Sequence, residues 1–290
     1  MLALKSLPYK IELRRSVSNS FAIVTANFNM GLSLEETIKS VIANMEAGDQ
    51  YYIVDGGSED NSLDIIRKYQ SHLAGWISEK DQGYADAIAK GFKNTESTFQ
   101  CWINSGDLFL PGALHMARNI LQNSSVDFIF GDDLYIDQAG KVIQVTNGYV
   151  SDLRSYMLYG GWTPLQDACF WRKDLYEKVG GINSDLKNAA DYDLFLRMAL
   201  QGKCEYTPII FSAFRKHDGQ KSINNVNEYK RERSNSRRIQ LDEIYARKPF
   251  YKKFITFIYW FKVRWRVRVF EKKSKSSAFE SLSAHEIHAH

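Results

Sequence analysis

A rhythm between Phe21 and Gly131 limits the fold of this chain more than any other feature. Along it an apolar run, a turn and an amphipathic segment recur. Phe21-Ala-Ile-Val-Thr25 predicts a first strand, followed by a helix over about residues 33–44, with Ser33 as N-cap and Glu36 at the reciprocal capping-box position. Residues 51–55 predict a second strand and 61–72 its helix; residues 74–78 predict a third strand and 84–93 its helix. Residues 99–104 form the expected fourth strand, 111–121 a helix with Pro111 near its first turn, and 126–130 a fifth strand. Parallel neighbours need crossover connections, and helices of these lengths supply them on both faces of a sheet. The expected fold class is α/β, a mostly parallel sheet flanked by helices whose strand carboxyl ends form the ligand edge.

Beyond Gly131 the rhythm is lost. Residues 134–136 and 142–146 flank Gln138-Ala-Gly140 and predict a hairpin. A strand is expected at 168–171, a short helix at 173–179 ended by Gly180-Gly181, a helix at 191–201 closed by Gly202, and a late strand at 209–214. Residues 225–247 are charged and helical in pattern, with a thin apolar stripe. Charge is divided unevenly: residues 1–214 carry 19 Lys/Arg against 26 Asp/Glu, and residues 215–275 carry 19 against 6. An acidic body with a basic, aromatic arm predicts that the arm meets an anionic surface. Cys101, Cys169 and Cys204 lack metal-ligand spacing, so reduced thiols and a cytoplasmic location are expected. The N-terminus lacks the order of regions that marks a secretory signal, and no uncharged apolar run approaches the roughly 20 residues that span a bilayer.

Acidic residues gather where the strands end. Asp55 opens Asp55-Gly-Gly-Ser-Glu-Asp60; a carboxylate there can accept bonds from a ribose or base, or simply cap a glycine turn. Asp81, with Gly83 and Asp86, makes a similar loop with the same two uses. Cys101-Trp-Ile-Asn-Ser-Gly-Asp107 ends an apolar strand in small polar residues and one carboxylate, which suits a divalent metal holding a diphosphate or an exposed loop. Asp132 and Asp133 can serve an acceptor hydroxyl or open the hairpin. Asp191-Tyr-Asp193 begins a helix, where Asp191 can act as a cap or as a base. His217 is a candidate ligand for a Mn²⁺-like metal, and Arg215, Lys216 and Lys221 can neutralise a leaving diphosphate. No G-x-x-x-x-G-K-[ST], no G-x-G-x-x-G after the first strand and no G-x-S-x-G occurs, so P-loop, ordinary dinucleotide and hydrolase-elbow readings lack their signatures.

In order and spacing these pieces resemble the inverting family-two glycosyltransferases, from Phe21 to about Ser222. Thr25-Ala-Asn-Phe-Asn29 resembles the family's first-strand ending, and Leu34-Glu-Glu-Thr-Ile-Lys-Ser40 the helix after it. Asp55-Gly-Gly-Ser-Glu-Asp60 is similar to the segment whose first Asp contacts the nucleoside. Ser78-Glu-Lys-Asp-Gln-Gly-Tyr-Ala-Asp-Ala87 is similar to the next nucleotide-side loop, which implicates Asp81. Asn104-Ser-Gly-Asp107 occupies the metal-binding acidic motif, and Ala190-Asp-Tyr-Asp-Leu-Phe-Leu-Arg197 the motif whose acid, at Asp191, is the catalytic base. Phe214-Arg-Lys-His217 is similar to a terminal segment that approaches metal and diphosphate.

The resemblance implies a GT-A fold, with Thr25, Asn27, Asp55, Asp81, Asn104 and Arg215 on a UDP- or GDP-sugar. It implies Mn²⁺ or Mg²⁺ on Asp107 and His217, and a sugar or acceptor pocket around Asp132, Trp162 and Gln166. Asp191 would deprotonate an acceptor hydroxyl in a single displacement. Two departures bear on this. Many relatives carry two adjacent acids where this chain has Gly106 then Asp107, leaving a lone carboxylate and a metal held chiefly through the donor. Many also carry Glu where this chain has Ala190, leaving Asp191 as the acid at that site. The implied organisation is an N-terminal extension (1–20), a glycosyltransferase domain (21–222, with halves 21–131 and 132–222), a basic helical and aromatic arm (223–275) and a disordered tail (276–290).

Phe250-Tyr-Lys-Lys-Phe-Ile-Thr-Phe-Ile-Tyr-Trp-Phe261 is too short in its uncharged part to cross a membrane, but it can lie in an interface or pack on the domain. A peripheral protein on the inner face of the cell membrane, using a saccharide or lipid-linked acceptor in surface polysaccharide synthesis, fits that arm. Rival readings are a nucleotidyltransferase, whose glycine- and basic-rich loop residues 27–32 lack, and a non-catalytic nucleotide-sugar or polysaccharide-binding scaffold. Nucleic acid is not an expected partner.

Overall fold

The computed structural model describes residues 19–160, 163–216 and 225–247. Its strands are β1 (Phe21–Asn27), β2 (Gln50–Asp55), β3 (Gly75–Ser78), β4 (Phe99–Trp102), β5 (Leu108–Phe109), β6 (Phe128–Ile136), β7 (Val142–Thr146), β8 (Cys169–Arg172) and β9 (Cys204–Arg215). The helices are α1 (Gly31–Asn44), α2 (Ser62–Tyr69), α3 (Tyr84–Lys93), α4 (Ala113–Asn123), α5 (Leu153–Ser155), α6 (Lys173–Lys178), α7 (Ala190–Gln201) and α8 (Val226–Arg247). One sheet runs β3-β2-β1-β4-β8-β6-β9-β5, and β7 also pairs with β6. The expected α/β class is present, but the sheet is mixed. It is parallel from β3 to β4 and between β6 and β9, and antiparallel at β8, β7 and β5.

Successive strand side chains point to opposite faces, so β1 sends Ala22 and Val24 to one core and Phe21 and Ile23 to the other. The first core holds the buried faces of α3 and α7, and the second those of α1, α2 and α4. Trp102 of β4 stacks on Phe195 of α7, with centroids 5.5 Å apart and planes at 19°, and meets Trp171 of β8 edge-on at 5.4 Å. These rings dominate the buried area between α7 and the sheet. They seat the helix so that its first turn reaches Tyr84, at the start of α3.

Several boundaries differ from expectation for one reason: partners come from far along the chain. α1 starts before Ser33, and its Gly31 N–H is held at 2.8 Å by Asp60 Oδ2 from the loop after β2. Ser33 Oγ turns back to Met30 O, and Glu36 pairs with Arg215 instead of closing a capping box. α4 begins at Ala113 rather than Pro111, and Leu108–Phe109 pairs with β9. Gly131 does not end a strand. β6 runs through it, and a Cβ there would lie 2.5 Å from Ile209 O and from the Phe211 ring. Close passage of β9 requires the glycine, and β6 continues into the expected hairpin with β7.

Among the described residues no helix is long and apolar enough to cross a membrane. Residues 1–18, Trp162, His217, Lys221 and the arm and tail from residue 248 lie outside the described residues.

Candidate active site

Three strand ends meet at Asn27. Its Nδ2 donates to Asp55 Oδ1 (2.7 Å) and Ser58 Oγ (3.3 Å), and its Oδ1 accepts from Ser105 Oγ (2.8 Å). Asp55 is fully buried and also accepts from Ser58 Oγ (2.5 Å), Ser58 N (2.9 Å), Gly57 N (3.2 Å) and Ser78 Oγ (2.6 Å). Burial pushes its pKa up, but the Ser58 and Ser78 hydroxyls, the Ser58 N–H and the Asn27 amide together outweigh burial and hold it below the usual value. Protein donors thus fill both carboxylate oxygens, and the structure places Asp55 inside the loop it shapes rather than on its surface. Thr25 is likewise buried, its hydroxyl bonded to that of Tyr51 at 2.9 Å within the sheet.

The accessible edge lies just above. A Cβ on Gly56 would stand 2.8 Å from Asp81 Oδ2 and 3.3 Å from the Phe28 ring, so glycine, carboxylate and ring form one shelf. Asp81 Oδ1 accepts the Gly83 N–H at 2.8 Å, which fixes its loop. Phe28 is 61% exposed. It was not among the expected site residues, although an aromatic side chain directly after β1, beyond the reach of either core, is the signal that marks it.

Gly106, at φ 107°, lets Asn104-Ser-Gly-Asp107 turn tightly over α1. Thr37 Oγ1 accepts the Gly106 N–H and donates to Asp107 O, both at 2.9 Å. Asp107 is 4% exposed and its Oδ1 accepts the Arg215 N–H at 2.9 Å. Arg215 is itself buried. Its guanidinium bonds Gly106 O (2.9 Å), Gln138 O (2.9 Å), Asp137 O (3.3 Å) and Glu36, so it clamps turn, hairpin and α1 instead of reaching a diphosphate. Asp133 of β6 and Asp167, before β8, are fully buried in the same region. Burial, then the charge of Asp167, pushes Asp107 and Asp133 well above the carboxylate range, and burial raises Asp167 to about 6. Both oxygens of Asp167, one of Asp133 and both amide atoms of the buried Gln166 lack hydrogen-bond partners among the described residues.

A divalent cation takes several accessible oxygens. Asp107 offers one buried carboxylate already bonded to a backbone N–H, and Gly106 offers none. Among the described residues no group of three His, Cys, Asp or Glu is arranged to hold a metal. The described part of the expected metal motif therefore forms no preformed cation site, and His217 lies outside the described residues. Asp107→Asn should leave the response of activity to added Mn²⁺ as in the parent. It should also melt no lower than the parent at pH 8, because a carboxyl with a raised folded-state pKa loses stability as pH rises. Mn²⁺ titration of activity and melting curves at two pH values check both.

Asp132 faces away from this cluster. It bonds the Tyr206 hydroxyl (2.9 and 3.0 Å) and the Gly148 N–H (2.8 Å). Tyr206 lines a cavity of about 520 Å³ with Tyr149, Arg154 and Gly202, at the C-terminal end of α7. The structure does not bring Asp132 to Asp191.

Asp191 stands in the first turn of α7, partly exposed. Its Oδ1 accepts the Tyr192 N–H at 2.7 Å, while Oδ2 makes no hydrogen bond among the described residues. Burial, with the charge of Glu232 adding, raises it to about 6. Asp193, the neighbouring acid, is committed elsewhere. Its Oδ2 takes Nε and Nη2 of Arg197 at 2.9 and 2.7 Å, and Arg197 Nη1 binds Val179 O.

The strands and helices that carry the Phe28 shelf and the Asn104–Asp107 turn lie within a stretch that matches a known family. The family model described as Glycosyl transferase family 2 covers residues 22–180. The chain belongs to glycosyltransferase family 2. This family 2 chain is 29% identical over 182 residues to an uncharacterized glycosyltransferase of Mycobacterium tuberculosis, covering 62% of this chain and 68% of that protein. It is 30% identical over 173 residues to an uncharacterized glycosyltransferase of Nostoc sp., covering 54% and 52%. To the PGL/p-HBAD biosynthesis glycosyltransferase of Mycobacterium bovis it is 26% identical over 186 residues, covering 61% and 68%. Among solved structures, S. aureus TarS 1-349 in complex with UDP-GlcNAc aligns at TM-score 0.56, with 15% identity over 69% of this chain and 60% of that one. The mannosyltransferase PcManGT from Pyrobaculum calidifontis, in complex with GDP-Man and Mn²⁺, aligns at 0.54, with 14% identity over 71% and 59%. These likenesses show that the family 2 chain has the GT-A fold.

Proposed function

We propose that this chain transfers a sugar, with inversion, from a UDP- or GDP-sugar to a hydroxyl of a saccharide or lipid-linked acceptor in surface polysaccharide synthesis. The observation that carries this reading is Asp191, whose Oδ2 is open and whose carboxyl is raised to about 6. At neutral pH such a group is ionised yet basic enough to take a hydroxyl proton. The hydroxyl oxygen then bonds to the anomeric carbon as the bond to the diphosphate breaks, its electron pair leaving with the nucleoside diphosphate. Asp193, paired with Arg197, is not a second candidate.

On the donor side, the exposed Phe28 ring stacks the nucleobase, with Asp81 and the Gly56 backbone at its rim. Asn27 and Asn104 sit at the strand ends beneath. TarS with UDP-GlcNAc and PcManGT with GDP-Man support a nucleotide-sugar donor. PcManGT also carries Mn²⁺, which supports a divalent cation beside the donor. Among the described residues of the acidic motif only the buried Asp107 carboxylate could approach it, so such an ion would be held chiefly through the donor diphosphate. The basic, aromatic arm meets an anionic membrane surface through its excess of Lys and Arg and its Phe250–Phe261 aromatic run.

Nucleotide release from a panel of UDP- and GDP-sugars with saccharide acceptors tests the reading; tight binding without release from every donor would favour a non-catalytic scaffold. Phe28→Ala should weaken the donor that responds by about tenfold, since base stacking contributes roughly 1–3 kcal/mol, and Phe28→Tyr should restore it. Titration calorimetry with that nucleotide checks this.

A further inference from the structure

The N-terminus of α7 presents backbone N–H groups that its own turns cannot satisfy. The residue before it is Ala189, which has no capping side chain. Asp191 is the local acid able to fill the gap, and its use as a cap would compete with its use as a base.

The structure fills the gap from outside the helix. Glu232 of α8 accepts the Asn188 and Ala189 N–H groups on Oε2, both at 2.9 Å, and the Lys187 N–H on Oε1 at 3.2 Å. It also takes Asn188 Nδ2 at 3.3 Å. The Tyr84 hydroxyl of α3 accepts the Ala190 N–H at 2.9 Å and the Asp191 N–H at 3.4 Å. Asp191 itself accepts only the Tyr192 N–H. The Asp193 N–H then begins the regular ladder on Ala189 O at 3.0 Å. Each early donor has an acceptor, and one oxygen of Asp191 is left over. α8 is held at this point by more than Glu232, for Arg233 lies over the rings of Tyr192 and Tyr229 at 5.8 and 5.6 Å.

We propose that Glu232 is a positioning residue for transfer: by capping α7 from α8 it frees the Asp191 carboxylate for the acceptor hydroxyl and ties the base to the docking of α8. The proposal rests on the reading of Asp191 as the base.

Glu232 carries the charge this role needs. Burial pushes its carboxyl up, but the N–H groups of Asn188, Ala189 and Lys187 outweigh burial and keep it ionised. The groups facing Asp191 are Tyr84 from α3, Cys169 from β8, and Tyr229 and Glu232 from α8, with Arg233 beyond Tyr229. Tyr84, Cys169 and Tyr229 are all pushed up by burial and by the charge of Asp191, so each stays neutral through the working range. Burial is the main reason Asp191 holds its proton more tightly than usual, and Glu232 is the ionised neighbour that adds to it. Removing Glu232 withdraws a repelling charge and uncovers the positive end of α7, and both changes make Asp191 a weaker base.

The test is a pH profile of kcat, with donor and acceptor KM and a melting midpoint, for Glu232→Gln and Glu232→Asp. Glu232→Gln should lower plateau kcat about tenfold and move the acid limb down by about half a pH unit, with donor KM within about twofold. Glu232→Asp keeps the charge and should hold the limb in place while recovering part of kcat. A limb that stays put in Glu232→Gln, with kcat falling only as the melting midpoint falls, would reduce Glu232 to a structural contact and overturn the proposal. Transfer retained by Asp191→Asn would instead overturn the base reading, so the two failures are distinct.

Discussion

Asp191→Asn should cut kcat by roughly 10²–10⁴-fold, the range that general bases contribute, while binding donor as the parent does. The amide keeps the Tyr192 N–H bond available, so the first turn of α7 survives the change. Only the ability to take a proton is lost. In the parent, kcat should rise as pH passes about 6 and then level, because Asp191 is active when ionised. The variant should show a low, flat residual rate. Stability should move the other way. A carboxyl with a raised folded-state pKa binds its proton more tightly in the native protein, so stability falls as pH rises between about 4 and about 6. Asn is never charged and escapes that loss, so the variant should melt no lower than the parent at pH 7.5. A dead enzyme of undiminished stability would mark a group retained for chemistry at a cost to the fold. Single-turnover transfer, donor calorimetry and melting curves decide the matter. Near-parental transfer would remove Asp191 from the base role.

Asp55→Ala should have the opposite profile, with a large loss of stability and donor binding falling as its loop collapses. The change strands the Asn27 amide, the Ser58 and Ser78 hydroxyls and the N–H groups of Gly57 and Ser58. Breaking a buried charged network of this kind costs about 3–5 kcal/mol, or about 10 °C in melting midpoint for a domain of this size. The sign with pH differs from that of Asp191. The Asp55 pKa lies below its usual value in the folded chain, so its contribution is full above about pH 4 and is lost as acid protonates it. The gap between parent and variant should therefore close in acid. Were the variant to melt with the parent and lose only donor affinity, the carboxylate would be a nucleoside ligand after all.

These two aspartates show where the sequence is legible and where it is not. Both end or begin an element next to small residues, and both suggest a binding role when read alone. Apolar periodicity placed β1, β2, β3 and α3 within a residue or two, since it reflects neighbours two to four positions apart. Whether a carboxylate is open depends on donors that arrive from elsewhere. Asp55 is filled from Asn27 and Ser78, 28 and 23 residues away, and Asp107 by Arg215, 108 residues away. Arg215 looked like a diphosphate ligand because it follows a strand, yet three carbonyl groups and Glu36 already occupy it. Phe28 was within a motif already singled out, and only its exposure distinguished it from a core residue.

The sequence by itself determined the order of strands and helices, the acidic strand edge and the location of Asp191 on a helix N-terminus. Those properties follow from side-chain periodicity and turn chemistry, which are local. The tertiary structure alone decided which acids are spent and which is free. Glu232, 43 residues beyond Ala189, takes over the cap of α7, and Arg197 takes Asp193, leaving Asp191 with an oxygen to spare. A hydrogen-bond donor is used once, and which acceptor it reaches is settled by packing rather than by spacing along the chain.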